Sequence, residues 1–153
     1  VPAANALKIL LLDISQYYNG AVDMLYDVAE PPLGLLYLLT YANKKLGDKI
    51  NGKIAKSRFD YDSYAELKQL IDDFKPDVIG VRTLTFYEDF FYITIAKIRQ
   101  WGFCGIIIAG GPYATSNYNR ILNDKNINIA VLGEGEITFC DLIEKIIINK
   151  EIC

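Results

Sequence analysis

Residues Ile106–Phe139 read IIIAGGPYATSNYNRILNDKNINIAVLGEGEITF. Two glycine clusters stand in this stretch, Gly110-Gly111 and Gly133-Glu134-Gly135. Each closes a short apolar run and opens a segment with helical spacing. A strand that is apolar along its whole length is buried on both faces, the condition of a parallel sheet covered by helices. Glycine at its end lets the backbone take positive φ and lets another surface come close, at a cost of about 0.5–1 kcal/mol relative to Ala. The stretch therefore encodes strand, turn, helix, strand, turn, helix.

The same grammar runs upstream. Leu7–Leu12 is a continuous apolar run ending at Asp13, and Asp77–Val81 is another. With Gly105–Ala109 and Ile129–Leu132 these make four buried strands. Ile50–Lys56 alternates in polarity and reads as an edge strand. Pro32 suits the first position of a helix through LGLLYLLTYANKKL, and Gly47 stands just past its end. Ser63 and Glu66 form a capping box before LKQLIDDF, and Pro76 prevents continuation. FYEDFFYITIAKIRQW stops at Gly102, and Ile137–Ile148 has the spacing of a last helix. A further helix is expected from Thr115. The order β-α-β-α-β-α-β-α-β-α with right-handed crossovers predicts a three-layer α/β fold. Its doubly wound, five-stranded parallel sheet takes the flavodoxin-like (Rossmann-like) order 2-1-3-4-5.

The 153 residues suit one domain, and 52% of them are hydrophobic, so the chain can build a core without disulfides. Net charge is −3, with no basic run beyond Lys44-Lys45, which argues against nucleic acid as a partner. Cys104, Cys140 and Cys153 form neither a disulfide framework nor a zinc motif, and a reduced, cytoplasmic setting is expected. No apolar run is long enough for a membrane span. The chain begins at Val1 and stops at Cys153 just after a helical pattern. We expect residues 1–153 to be a single domain excised from a longer protein.

In a doubly wound sheet, ligands bind outside the carboxyl ends of the strands. Those ends are Asp13–Asn19, Arg82–Phe86, Gly110–Thr115 and Gly133–Glu136. Both glycine clusters fall on this edge, where they serve either an extended ligand or ordinary strand-to-helix turning. The first turn reads DISQYY, so the G-x-G-x-x-G of a dinucleotide site is absent, and so is a P-loop. SQYYNG is a poor phosphate cradle for FMN. A phospho-receiver would need Asp and Lys where Thr83 and Gly133 stand. Arg82, in an otherwise apolar strand, either faces the rim toward an amide or phosphate or snorkels. Tyr17, Tyr18, Tyr87 and Tyr113 are expected at the rim. Glu134 and Glu136 show no acid/base arrangement, and no nucleophile–base pair is evident.

Four stretches together resemble the cobalamin-binding domain at the N-terminus of many radical SAM enzymes. They are EPPLGLLYLLTYA (Glu30–Ala42), KPDVIGVRTLTFY (Lys75–Tyr87), IIIAGGPYAT (Ile106–Thr115) and VLGEGEITFCDLIEKI (Val131–Ile146). That group includes the anaerobic magnesium-protoporphyrin IX monomethyl ester cyclase and class B methyltransferases. The resemblance implies that the nucleotide tail of cobalamin enters at the sheet edge. Thr83, Leu84 and Thr85, then Gly110, Gly111, Pro112 and Tyr113, would line its channel. Gly133, Glu134 and Gly135, with amides open to polar groups, would wall the other side, and Asp13 and Ser15 would stand at the first turn. Ser15 occupies the place of the His that ligates cobalt in mutase-type domains, and the chain has no His at all, so His ligation is excluded. Tyr113 replaces the His of the family's GGPHAT form. The three cysteines cannot make the C-x-x-x-C-x-x-C of a 4Fe–4S cluster. The resemblance thus implies that the cluster and S-adenosylmethionine belong to a following C-terminal radical SAM domain, the partner of a chain not itself catalytic. The parent would be an oxidoreductase, cyclase or methyltransferase. Two other readings stand beside it: a docking domain of the same fold without cofactor, and a flavodoxin-like FMN carrier.

Overall fold

The structure, a computed structural model, describes residues 1–20 and 30–149; Cys153 lies outside them. Five strands, β1 (Leu7–Asp13), β2 (Ile50–Lys56), β3 (Val78–Arg82), β4 (Ile106–Gly110) and β5 (Ile129–Ala130), form one sheet. All pairings are parallel, and the order is β2-β1-β3-β4-β5. The helices are α1 (Leu33–Leu46), α2 (Tyr64–Phe74), α3 (Glu88–Gln100), α4 (Gly111–Asn123) and α5 (Glu136–Asn149). The three-layer α/β fold and its strand order are those expected from the sequence.

Side chains alternate across a strand, so each apolar run feeds two cores. Leu7, Ile9 and Leu11 of β1 pack with α1 and α5 through Leu35, Leu46, Phe139 and Ile143. Leu10 and Leu12 pack on the other face with α2, α3 and α4 through Leu67, Phe91, Ile95 and Ile121. This double burial is why β1 carries no polar residue on either face between Ile9 and Leu12.

Local signals set the helix ends. Ser63 Oγ accepts from the Glu66 amide at 3.1 Å, and Glu66 Oε2 accepts from the Asp62 amide at 2.6 Å, one residue outside the usual reciprocal bond. Lys75 takes a left-handed φ of 52° ahead of Pro76 and ends α2. Pro32 is the residue before α1 rather than its first, and Gly47 closes that helix at φ 56°. A short 3-10 turn over Thr85–Tyr87 delays α3 to Glu88.

Two expectations need correction. The fourth helix begins at Gly111, not at Thr115, because Gly111 at φ 86° turns the chain directly off β4 and Pro112 suits the first turn. Tyr113 consequently faces inward and is buried against Phe91, with its hydroxyl donating to Glu88 Oε2 at 2.8 Å; it does not stand on the rim. β5 is also shorter than the apolar run Ile129–Leu132, although the Val131 amide still donates to Ala109.

Gly105 shows how tightly the lower edge closes. A Cβ there would lie 2.2 Å from the backbone oxygen of Asp77 and 2.7 Å from the Phe103 ring. Backbone cannot yield as a side-chain tip can, so Gly105→Ala should cost about 2 kcal/mol or more and lower Tm by roughly 4–8 °C in a thermal melt. A second expectation concerns alkali. Burial raises the Tyr61 and Tyr113 phenols above the ordinary value of 10.0, and for Tyr113 its bonds to Tyr92 and Glu88 add to this. The unfolded chain then ionises first, so their contribution is complete below about pH 10 and is lost as pH rises beyond it. Melts between pH 8 and 11.5 should show Tm falling only in the upper part of that window.

Candidate functional site

The carboxyl ends of the strands carry two distinct arrangements. The first is a buried polar lattice at the ends of β1, β2 and β3. Asp13 is wholly buried, and its Oδ2 accepts from Lys56 Nζ at 3.2 Å and Arg82 Nη1 at 2.8 Å. Among the described residues its buried Oδ1 has no hydrogen-bond partner. Lys56 Nζ also donates to Ser15 Oγ at 2.9 Å. The Thr83 hydroxyl donates to the carbonyl of Ile14, and the Ile14 amide donates to the Arg82 carbonyl at 2.8 Å. Asp13, Ser15 and Thr83 therefore tie the first turn to its neighbours. Leu84 is half-buried and Thr85 exposed, at the start of the 3-10 turn.

The second arrangement is a cavity of about 390 Å³ on the α1/α5 face. Leu11 and Ile108 supply its floor, Leu35 and Leu38 one wall, and Phe139 the other. Gly110, Gly111 and Pro112 line it from β4 and the first turn of α4, and Gly133, Glu134 and Gly135 from the turn before α5. Its volume lies within the roughly 300–1,000 Å³ of small-molecule sites, and its apolar lining with few polar groups is the usual composition. Six of the twelve residues singled out from the sequence thus meet at one cavity. Asp13, Ser15, Thr83, Leu84, Thr85 and Tyr113 are not among its lining.

One hydroxyl joins the two glycine clusters. Thr115 Oγ1 donates to the Gly111 carbonyl at 3.0 Å and accepts from the Gly133 amide at 2.9 Å. The Gly133 amide is therefore engaged by Thr115, contrary to the expectation that this turn leaves its amides open. Gly111 and Gly133 both have positive φ, 86° and 68°, a backbone that L side chains strain to adopt. A Cβ at Gly110 would meet only the Val131 carbonyl, at 4.0 Å, and one at Gly34 nothing within 4 Å. Among the described residues no close contact demands these two glycines, and both line the cavity.

Sequence reasoning did not single out the α1 wall or Gly80. A Cβ at Gly80 would lie 2.6 Å from Leu11 Cδ2, so this glycine lets Leu11 lie across β3 in the cavity floor. Gly34 in the first turn of a helix and Gly80 mid-strand are both unfavourable placements, and that was the available signal. Arg82 also lines the cavity, its side chain 19% exposed. In the first turn the Gln16 amide donates to Ser57 Oγ and the Asn19 amide to Asp62 Oδ1. Among the described residues no cluster of His, Cys, Asp or Glu could hold a metal ion, and no helix is long and apolar enough to cross a membrane.

No family model matches the chain, and no solved structure matches it. The chain is 27% identical over 150 residues to an uncharacterized methyltransferase of Pyrococcus horikoshii. The match takes in 95% of this chain and 31% of that protein, so the chain spans about a third of the relative's length. The chain is thus a parallel α/β domain distantly related to part of a protein named as a methyltransferase.

Proposed function

We propose that this chain is a cobalamin-binding accessory domain of a larger cytoplasmic radical SAM enzyme. The observation that carries the reading is the glycine-bordered apolar cavity between α1 and α5 at the carboxyl edge of the sheet. A flat heteroaromatic base suits it: Leu11, Leu35, Leu38 and Phe139 give apolar contact, while Gly34 and Gly110 bring bare backbone to its sides. A corrin ring is too broad for about 390 Å³, so the residues fit the nucleotide tail and leave the ring to the strand ends outside. Cobalamin supplies a cobalt centre for methyl transfer or for radical chemistry with a partner domain. The chain's own part is to bind and orient it and to shield its base from water. With no His in the chain, no imidazole of this domain ligates cobalt. The relative's name supports a methyl-transfer setting, and its greater length leaves room for a catalytic domain with a 4Fe–4S cluster and S-adenosylmethionine.

A docking domain that binds no cofactor is the second reading, favoured by the exposed apolar residues Leu33, Leu132 and Ile137 on the elements around the cavity. Titration with hydroxocobalamin, read by calorimetry and visible absorbance together, separates the two. The cofactor reading expects micromolar affinity, about −8 kcal/mol. Absence of binding at high micromolar cobalamin, both here and in the full-length protein, would leave the docking reading.

Gly34 supplies an internal control. Gly34→Ala should raise stability by up to about 1 kcal/mol, because the helix gains a better former and the new methyl meets open space. Gly34→Leu should fold as well but fill the cavity, and lower cobalamin affinity at least tenfold. A thermal melt and a titration on each variant check both statements.

A further inference from the structure

The cavity is apolar except for one guanidinium and two carboxylates. Glu134 and Glu136 sit at the turn into α5, while Arg82 rises from the end of β3. Among the described residues, Asp13 is the carboxylate within ion-pair distance of Arg82, and it is shared with Lys56. Within this buried cluster one carboxylate against two cations leaves an excess of one positive charge; the other two carboxylates, Glu134 and Glu136, lie at the more open border of the cavity. All three side chains of the cluster are largely shielded, at 0%, 6% and 19% exposure, so water screens that excess poorly. Lys56 is spent on Asp13 and Ser15 and does not line the cavity. Arg82 does line it, and among the described residues its side chain donates from Nη1 to Asp13, using one of its five N–H donors.

The flank of Arg82 is also kept clear. A Cβ on Gly111 would lie 3.3 Å from Arg82 Cβ and 3.8 Å from its Nε. Glycine at 111 therefore serves the positive φ and the guanidinium together. A fixed fork of donors, backed by a buried carboxylate and opening on an apolar space, matches the paired oxygens of a phosphate ester.

We propose that Arg82 is the specificity-determining anchor of this cavity, taking the phosphate-ester group of a ligand whose apolar ring fills the space beyond, with Asp13 and Lys56 as the positioning charges that hold the guanidinium. This deepens the cobalamin reading and rests on it for the identity of the anion, the phosphodiester that joins the base of the tail to the rest of the cofactor. Anion preference itself rests only on the charge count and the geometry.

The test compares the unmodified chain with Arg82→Gln and Arg82→Lys by calorimetry. Arg82→Gln leaves Asp13 paired with Lys56, so it should fold, and circular dichroism melts verify this. Arg82→Lys guards against a fold defect by keeping the charge. Hydroxocobalamin should bind Arg82→Gln about 10- to 100-fold more weakly, with part of the loss recovered in Arg82→Lys. Cobinamide, which lacks the base and the phosphodiester, should bind the unmodified chain and Arg82→Gln alike. Equal hydroxocobalamin affinity in the unmodified chain and Arg82→Gln would overturn the proposal. If neither the unmodified chain nor the full-length protein binds hydroxocobalamin, the cofactor reading falls, and two dyes then decide the anion preference. The sulfonate 8-anilinonaphthalene-1-sulfonate should bind at least tenfold tighter than uncharged N-phenyl-1-naphthylamine, and Arg82→Gln should erase the difference. No preference, or one that survives in Arg82→Gln, would overturn it.

Discussion

The carboxylate of Asp13 is held away from water where three parallel strands end, and the upper edge of the sheet is organised around it. Lys56 comes from β2 and Arg82 from β3, so one side chain of β1 is tied to both neighbouring strands. Taking such charges out of water is costly, and a carboxylate in that position is tolerable only while its partners stay in place. The Thr83 hydroxyl and the Ile14 amide add neutral bonds across the same junction. The register of β1 against β3, Asp13 beside Arg82, is therefore fixed by side chains as well as by the ladder. A slip of one residue would turn every apolar side chain of β1 to the wrong core and would also strand this carboxylate.

Glycine plays several separate parts along the same edge. Gly111 and Gly133 are turn residues, required by their φ. Gly80 yields space to Leu11, and Gly105 yields space to the backbone of Asp77. Gly34 and Gly110 yield space to no close atom of the described residues. That distinction separates the glycines that the turns and close packing require from those that border open space. Thr115 then binds the two turns to each other, which makes the cavity border one unit rather than two loops.

Much of this was legible in the sequence, because the strongest signals were redundant. Apolar runs such as Leu7–Leu12 and Ile106–Ala109 can only be buried on both faces, and glycine or proline punctuates each helix. Both glycine clusters were readable as members of one edge, and the structure places them around one cavity. The α1 wall was not readable, since Leu35 and Leu38 look like any helix stripe until the rotation of α1 about its axis is known. Tyr113 was misplaced because its ring is apolar and its hydroxyl polar, so the sequence suits rim and core equally. The early start of α4 decided the matter: it turned Tyr113 toward Phe91 and α3. The bond from the Thr83 hydroxyl to the Ile14 carbonyl is long-range, and no local pattern announces it.

The cavity is assembled from the extremes of the chain. Its floor begins at Leu11 and its last wall is Phe139, and α1 and α5 must lie side by side to close it. Contacts so distant in sequence carry a high loop-closure cost and form after the local elements have paid for themselves. A fragment that lacks either end of this span lacks part of the cavity's lining. Any molecule that recognises the cavity selects the fully folded sheet over every partly folded form, and by mass action stabilises the domain as a whole. A ligand of this cavity would act as a check on the completeness of the chain that holds it.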